Sequence, residues 1–334
     1  MPELRKDWLT GRTVIIAENR AQRPNEFAQI SRTGEAASAA GQSVLASVTS
    51  LPSCPFCVGN ESQTPPSVYQ TNDQEGRWQI RVVPNMFPAV ELQPTDEISG
   101  PAIGAHEVII ESARHVHQMS ALSADELCDV LAVYAQRLRY WHDDGRFRYG
   151  LLFKNQGQAA GASLAHLHSQ LVTLPELPPA VERELERADG ECRQRGMCPY
   201  CRLCEQEQAL ADRIVLNRDG YIAFCPYASL QPLEVWILPT SHETWFERSS
   251  NADAPTQLAG VLQSLFNKLE TLVPAASFNM LLRTAPWQSN VEHCCHWRIE
   301  LLPRFNPLAG LELATGIHIN PVRPERAAAR LRAN

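Results

Sequence analysis

Apolar and polar positions follow a similar plan in two successive stretches of the chain. In the first, HEVIIES (106–112) mixes β-branched with large apolar residues, as sheet strands do. A helical pattern follows over about 122–144, opened by the cap-like Ser123-Ala124-Asp125-Glu126. The strand-like LLFKN (151–155) comes next. In the second stretch VWILP (235–239) corresponds to HEVIIES, a second helical pattern runs over about 256–273, and FNMLLRT (278–284) reads as a strand. Outside these, TVIIA (13–17) predicts a strand and 322–334 an Arg-rich solvated helix. Residues 31–53, rich in Ala, Ser and Gly with weak periodicity, read as a loop.

Cysteine and histidine positions follow the same plan. Each half runs CxxC, strand, His, helix, strand, His, with His115 and His166 spaced by 51 residues and His242 and His296 by 54. So many elements in one order predict a duplicated α+β unit. The first unit spans 1–175 and the second 198–334. A charged connector over 176–197, of helix-compatible composition, joins them.

Composition narrows the function. The chain has 334 residues, enough for two domains or one duplicated domain, and 44% of them are hydrophobic, ordinary for a globular protein. A net charge of −7 argues against a nucleic-acid surface, which needs a basic face. No apolar run reaches the roughly 18 residues that span a bilayer. The N-terminus, MPELRKDWLTGR, is polar, so a cytoplasmic location without membrane attachment is expected.

Ten cysteines are many for such a protein. In a reducing compartment the pairs Cys54/Cys57 and Cys201/Cys204 read as metal ligands or redox centres. Cys54, Cys57, His115 and His166 make a Cys2His2 set suited to tetrahedral zinc. Cys201, Cys204, His242 and His296 make a second, in which Cys198 competes with Cys201 and His293 with His296. Both sets look closed, hence structural, and the second has room for a metal other than zinc.

The chemistry concentrates in Asn155–Gln170, NQGQAAGASLAHLHSQ. Its loop, with Gly157, Gly161 and Ser163, brings backbone N–H groups close to an anion because small residues do not block the approach. His166, His168 and Gln170 point one way if they lie on a strand. With His166 on metal, His168 is free to attack phosphorus, and Gln170 donates an amide hydrogen bond to the phosphoryl oxygen as charge develops. The bland alternative is two structural or metal-bound histidines. In the second half Arg298 stands at the nucleophile position and Glu300 at the glutamine position. Arginine stays protonated and cannot attack, so that copy keeps its metal ligand and loses the chemistry. Its guanidinium either contacts phosphate or, as expected here, pairs with a carboxylate. Near the N-terminus, Arg20 and Arg23 suit bidentate phosphate contact or form a solvated turn. Asn85, in VVPNMFPAV, either reads a base or ribose or caps its turn.

Together these residues resemble the galactose-1-phosphate uridylyltransferase family of the histidine-triad superfamily. The resemblance runs from WLTGRTVIIAENRAQRP through CPFCVGNE, RVVPNMFPAV, ESARH and FKNQGQAAGASLAHLHSQ to HWRIELLPR and AGLELATGIHINPVRPE. It implies an α+β fold of two tandem histidine-triad-like units, with antiparallel sheets and packed helices. It also implies a ping-pong nucleotidyl transfer in a homodimer, with His168 as nucleophile and Gln170 stabilising the intermediate. Asn155, Gly161 and Ser163 would hold phosphates, Arg20 and Arg23 would assist, and Asn85 would lie in the nucleotide pocket. Cys54, Cys57, His115 and His166 match the family's zinc ligands. Two departures bear on the substrate. The bacterial galactose enzymes typically read HPHGQ where this chain has HLHSQ, and no lysine stands in Gly310-Leu311-Glu312-Leu313. With the second CxxC pair, these features are similar to the plant-type relatives that phosphorolyse ADP-glucose. The expected partners are a nucleotide sugar with a sugar phosphate (UDP-glucose with galactose 1-phosphate) or, alternatively, with inorganic phosphate. Hydrolysis is a further alternative. It would call for a third histidine at position 170 to protonate the leaving group, which glutamine does not do. A zinc-stapled binding protein without turnover is the last.

Overall fold

The computed structural model describes residues 2–22, 50–93, 102–249, 251, 253–305 and 307–334. Arg23 and the expected loop at 31–53, except for its last four residues, lie outside them. In chain order the elements are β1 (Glu3–Lys6), β2 (Thr13–Ile16), β3 (Tyr69–Asn72), β4 (Trp78–Pro84), β5 (His106–Ile110), α1 (Ala124–Asp144), β6 (Tyr149–Gln156) and β7 (His168–Leu174). Then come α2 (Pro179–Arg195), α3 (Pro199–Leu210), β8 (Ile214–Arg218), β9 (Tyr221–Phe224), β10 (Val235–Pro239), α4 (Ala254–Leu272), β11 (Phe278–Arg283) and β12 (Arg298–Pro303). The chain closes with α5 (Gly310–Thr315), β13 (His318–Asn320) and α6 (Pro324–Ala333).

The helices predicted at about 122–144, about 256–273 and 322–334 form as α1, α4 and α6, the last not wholly solvated but packing Ala327, Ala328 and Leu331 into the core. Ser123 caps α1 as expected: its hydroxyl accepts from the Glu126 N–H at 3.1 Å, and the Glu126 carboxylate accepts from the Ser123 N–H at 2.8 Å. Gly145, at φ +77°, ends the helix in the left-handed conformation that glycine takes without strain. The connector is helical over most of its length, as α2.

Ten strands form one antiparallel sheet in the order β3-β4-β5-β7-β6-β11-β12-β10-β9-β8. The order reads as two five-strand halves related by a two-fold axis between β6 and β11. At this seam Asn279 lies opposite Asn155, and Arg283 opposite Leu151. α1 and α4 pack against one face of the sheet and against each other. A single core runs under both halves, from Ile109, Leu152 and Leu171 to Leu282, Ile299 and Leu301. Each such side chain, fully buried, stabilises the fold by about 1.5–3 kcal/mol.

The other face differs between the halves. In the second half α2 and α3 lie over it, burying Ala188, Tyr200 and Leu203 against Trp236 and Leu238. In the first half the loop carrying Cys54, Phe56 and Cys57 packs on Val108 and Ile110 and leaves Gln170 part-exposed. A small sheet, β1-β2-β13, joins the two chain ends. Its first two strands fall within the 1–175 unit by sequence but meet the second half in space, where Arg12 pairs with Glu234 and Glu300. Among the described residues no helix is long and apolar enough to cross a membrane.

Candidate functional site

β7 begins at His168, so His166 lies just ahead of the strand rather than on it. The two imidazoles nonetheless serve one arrangement through the chain between them. His166 is fully buried. Its Nε2–H donates to the Ser112 carbonyl at 2.8 Å, and its Nδ1 lies 3.6 Å from both Cys54 Sγ and Cys57 Sγ. Cys57 Sγ is 3.1 Å from His115 Nδ1. The four ligand atoms lie within 4.8 Å of one another and all four residues are buried, a set that can hold a metal ion. Burial pushes the Cys54 thiol up to about 11 and holds His166 down to about 4. Both thiolate and neutral imidazole are the forms a cation selects.

The His166 carbonyl in turn accepts the Nδ1–H of His168 at 2.8 Å. A carbonyl only accepts, so this contact fixes the tautomer: Nδ1 carries the proton and the Nε2 lone pair is free. Burial lowers the His168 pKa, which keeps the ring neutral. Phe56 sets an edge-to-face contact against it, with ring centroids 5.2 Å apart.

Gln170, two residues on along β7, shares that face of the sheet. Its Oε1 lies 2.8 Å from His106 Nε2 and 3.4 Å from Asn85 Nδ2. Asn85 also shapes its own turn, since its Oδ1 accepts the Phe87 N–H at 2.9 Å. Asn155, on β6, accepts through Oδ1 from Asn279 Nδ2 across the seam at 2.8 Å, and Asn279 Nδ2 also meets the Ala160 carbonyl at 2.9 Å. The glycine loop is thereby tied to the second half of the chain. Gly157 has φ +80° and ψ 158°, a region open to glycine alone, and a Cβ there would stand 2.2 Å from Ser277 Oγ. Gly161, at φ +87°, closes the turn with open space around it, and Ser163 beyond it is exposed. Arg20 is exposed in the turn after β2, and no contact among the described residues joins it to His168.

The second half repeats these positions with charges. Arg298 opens β12 as His168 opens β7, and Glu300 follows as Gln170 does. Arg298 pairs with Glu184 of α2 at 2.6 Å and with Glu300 at 2.7 Å; Glu300 is also held by Arg12 and Arg283. These cations pull the buried Glu300 carboxyl well below its usual range, against the opposing effect of burial. A cavity of only about 30 Å³ remains beside this network.

The second metal set needs a correction. Cys198, Cys201 and His242 lie together, with Cys201 Sγ 3.3 Å from His242 Nδ1. Cys204 is not among them: α3 turns it into the apolar cluster with Leu203 and Trp236, 4.0 Å from the Pro239 carbonyl. Cys198-Pro-Tyr-Cys201 matches Cys54-Pro-Phe-Cys57, a likeness in sequence that points to the pair the fold brings beside His242. His296 stands beside the set, its ring centroid 5.5 Å from that of His242, but outside the group of ligand atoms. A third group, Asp189, His293 and Cys294, lies nearby.

Besides Asn279, two functional-looking residues were missed by sequence reasoning. His106 is one. The other is Lys154, fully buried on the helix side of β6, where it pairs with Glu111 and donates to the His168 carbonyl at 3.0 Å. Tyr134 and Ser169 also donate to Glu111. A lysine inside the apolar run LLFKN was the available signal.

The model of the galactose-1-phosphate uridyl transferase N-terminal domain matches residues 1–178, and a family described only as a domain of unknown function matches 90–334. The ADP-glucose phosphorylase of Arabidopsis thaliana is 31% identical over 343 residues, covering 99% of this chain and 92% of the relative. The galactose-1-phosphate uridylyltransferase of Thermotoga maritima is 26% identical over 348 residues, covering 99% and 98%. Among solved structures, an Arabidopsis thaliana ADP-glucose phosphorylase with bound ADP-glucose superposes with a TM-score of 0.85 at 29% identity, covering 100% of this chain and 99% of that one. A uridylyltransferase structure gives 0.74 at 26%, covering 100% and 98%.

Proposed function

The chain belongs to the galactose-1-phosphate uridylyltransferase family and is a nucleotidyltransferase, and from that premise we propose that His168 carries the nucleotidyl group in a two-step transfer from a nucleoside diphosphate sugar. The observation that supports this is the fixed tautomer of His168. With Nδ1–H held on the His166 carbonyl, the Nε2 lone pair attacks the α-phosphorus of the donor. The Nε2–P bond forms as the bond from phosphorus to the bridging oxygen breaks, and the sugar 1-phosphate leaves with that electron pair. In the second step a phosphate oxygen of the acceptor attacks the same phosphorus, and the P–N electron pair returns to Nε2. Gln170 donates its amide to the phosphoryl oxygens as charge builds. The amides around Gly157, Gly161 and Ser163, with Asn155, hold the phosphates. Asn85 contacts the nucleoside, and Arg20 and Arg23 assist.

Zinc fits the set of Cys54, Cys57, His115 and His166: two sulfurs and two imidazole nitrogens, with the His166 ring oriented by the Ser112 carbonyl. Bound there, it supplies a structural staple between the Cys54 loop and the start of β7. Zinc or another metal is proposed for Cys198, Cys201 and His242, with His296 alongside.

For the donor, UDP-glucose with a hexose 1-phosphate acceptor follows from the family. ADP-glucose with inorganic phosphate is the second reading, favoured by the higher identity and TM-score to the plant phosphorylase over essentially the whole chain. The family resemblance extends the proposal to a cytoplasmic homodimer. Incubation with UDP-glucose and ADP-glucose, each labelled at the α-phosphate, tests the donor and the covalent step. Label stable on the protein from one donor, and absent in His168→Asn, supports the reading and names the base. No label from either donor, with His168→Asn as active as the parent protein, overturns it.

A further inference from the structure

We propose that His106 is a positioning residue for the transfer: it fixes which end of the Gln170 amide faces the phosphoryl group on His168. This rests on the role proposed for Gln170.

The direction of the bonds follows from one backbone group. The Ala89 N–H donates to His106 Nδ1 at 3.0 Å. An N–H does not accept, so Nδ1 is the unprotonated nitrogen and Nε2 carries the hydrogen. That hydrogen reaches Gln170 Oε1 at 2.8 Å. Asn85 Nδ2, 3.1 Å from Nε2, is a donor as well, and its acceptor is the same Oε1. Two donors converge on one oxygen. Turning the Gln170 amide over would bring its NH2 against the His106 N–H and the Asn85 NH2, with no acceptor among them. The carbonyl end is therefore committed to His106, and the NH2 end is left for a ligand. Without His106 only the longer Asn85 contact, at 3.4 Å, holds the carbonyl end, and an amide that turns over presents an oxygen to an anionic phosphoryl group. Burial lowers the His106 pKa, consistent with a neutral ring.

The sheet holds this pair by register. His106 on β5 lies opposite Val172 on β7, and Val108 on β5 opposite Gln170, so His106 and Gln170 are diagonal neighbours on one face. The second half puts Glu234, just ahead of β10, and Glu300 at the equivalent positions, and there Arg12 bridges them. The neighbour relation survives in both copies, while only the first copy fills it with a neutral donor and an amide.

Two substitutions separate positioning from support of the turn. His106→Asn keeps an oxygen near the place of Nδ1 for the Ala89 N–H but is too short to reach Gln170. His106→Gln puts an amide NH2 near the place of Nε2 but gives up the acceptor for Ala89. The measurements are the single-turnover rate of α-phosphate label transfer from UDP-glucose and ADP-glucose, and steady-state kcat and KM with the active donor. For His106→Asn we expect kcat down about 10-fold, a share of the 10²–10³ of a lost oxyanion donor, with KM within about two-fold. His106→Gln recovers most of it. Gln170→Ala loses about 100-fold, and His106→Asn on that background costs nothing further. His106→Asn equal to wild type, or a loss that persists on the Gln170→Ala background, overturns the inference while leaving the covalent mechanism standing. Wild-type protein that takes no label from either donor overturns the mechanism itself.

Discussion

His168 and Arg298 open β7 and β12 at the same place in the two half-sheets, two residues ahead of Gln170 and Glu300. One ring is buried, neutral and free at Nε2. The other side chain is locked between Glu184 and Glu300 under the cover of α2. One site per chain follows, and it should be countable: saturating label reaches about one nucleotidyl group per polypeptide. Arg298→His should add no second label, and it should destabilise the fold by about 1.5–3 kcal/mol, because Glu184 loses its cation while Glu300 keeps Arg12 and Arg283. Denaturant unfolding and label counting check both parts. Two labels per chain would show the second half to be a working site.

Metal content should follow the corrected pairing. Cys198→Ser is expected to lower bound metal by about one equivalent, and Cys204→Ser to leave it unchanged. Cys57→Ser should remove the other equivalent and lower the melting temperature, since the staple between the Cys54 loop and β7 goes with it. Elemental analysis of the purified variants reads this directly. Metal lost on Cys204→Ser would restore the pairing first expected.

That pairing shows where the sequence was legible and where it was not. VWILP forms β10 over 235–239, and the Ser123–Glu126 capping box forms at the predicted start, because both depend on local pattern and local chemistry. The duplication was visible for the same reason. Cys198-x-x-Cys201 and Cys201-x-x-Cys204 overlap, so spacing alone does not choose between them. The choice is made by α3, which begins at Pro199 and carries Cys204 round to the apolar side. His106 escaped notice because its role comes from strand register, a long-range property. Asn279, which holds the glycine loop from the far side of the seam, escaped for the same reason.

Gly157→Ala should weaken phosphate binding. A Cβ at that backbone angle is strained by about 1–3 kcal/mol, and it also meets Ser277 Oγ. The expected result is a KM for the donor raised about ten-fold, the equivalent of roughly 1.4 kcal/mol, with the melting temperature lowered by about 1–4 °C. Gly161→Ala, where the Cβ enters open space, should cost less. Equal effects in steady-state kinetics would show that backbone angle alone, without the Ser277 contact, sets the loop.

Lys154→Met tests the buried pair behind the strand. Glu111 would keep Tyr134 and Ser169 as donors but lose its counter-charge. A loss of about 3–5 kcal/mol in unfolding free energy is expected. Lys154→Met combined with Glu111→Gln should recover part of it, since no charge then remains unpaired. A single variant as stable as wild type would show that the Lys154–Glu111 pair adds no net stability.

The seam between β6 and β11 has the geometry of two identical edges meeting across a two-fold axis. A lone half-chain would expose that edge, and an exposed edge recruits a second copy of itself. Joining the copies in one polypeptide makes the encounter intramolecular and keeps the partners in fixed proportion. It also frees them to become unlike. Only one need keep a nucleophile, and the other can spend its interior on salt bridges, yet it cannot be discarded. Asn279 reaches from it to Asn155 and the Ala160 carbonyl beside the glycine loop, so under the proposed mechanism the second half is a permanent subunit of the first.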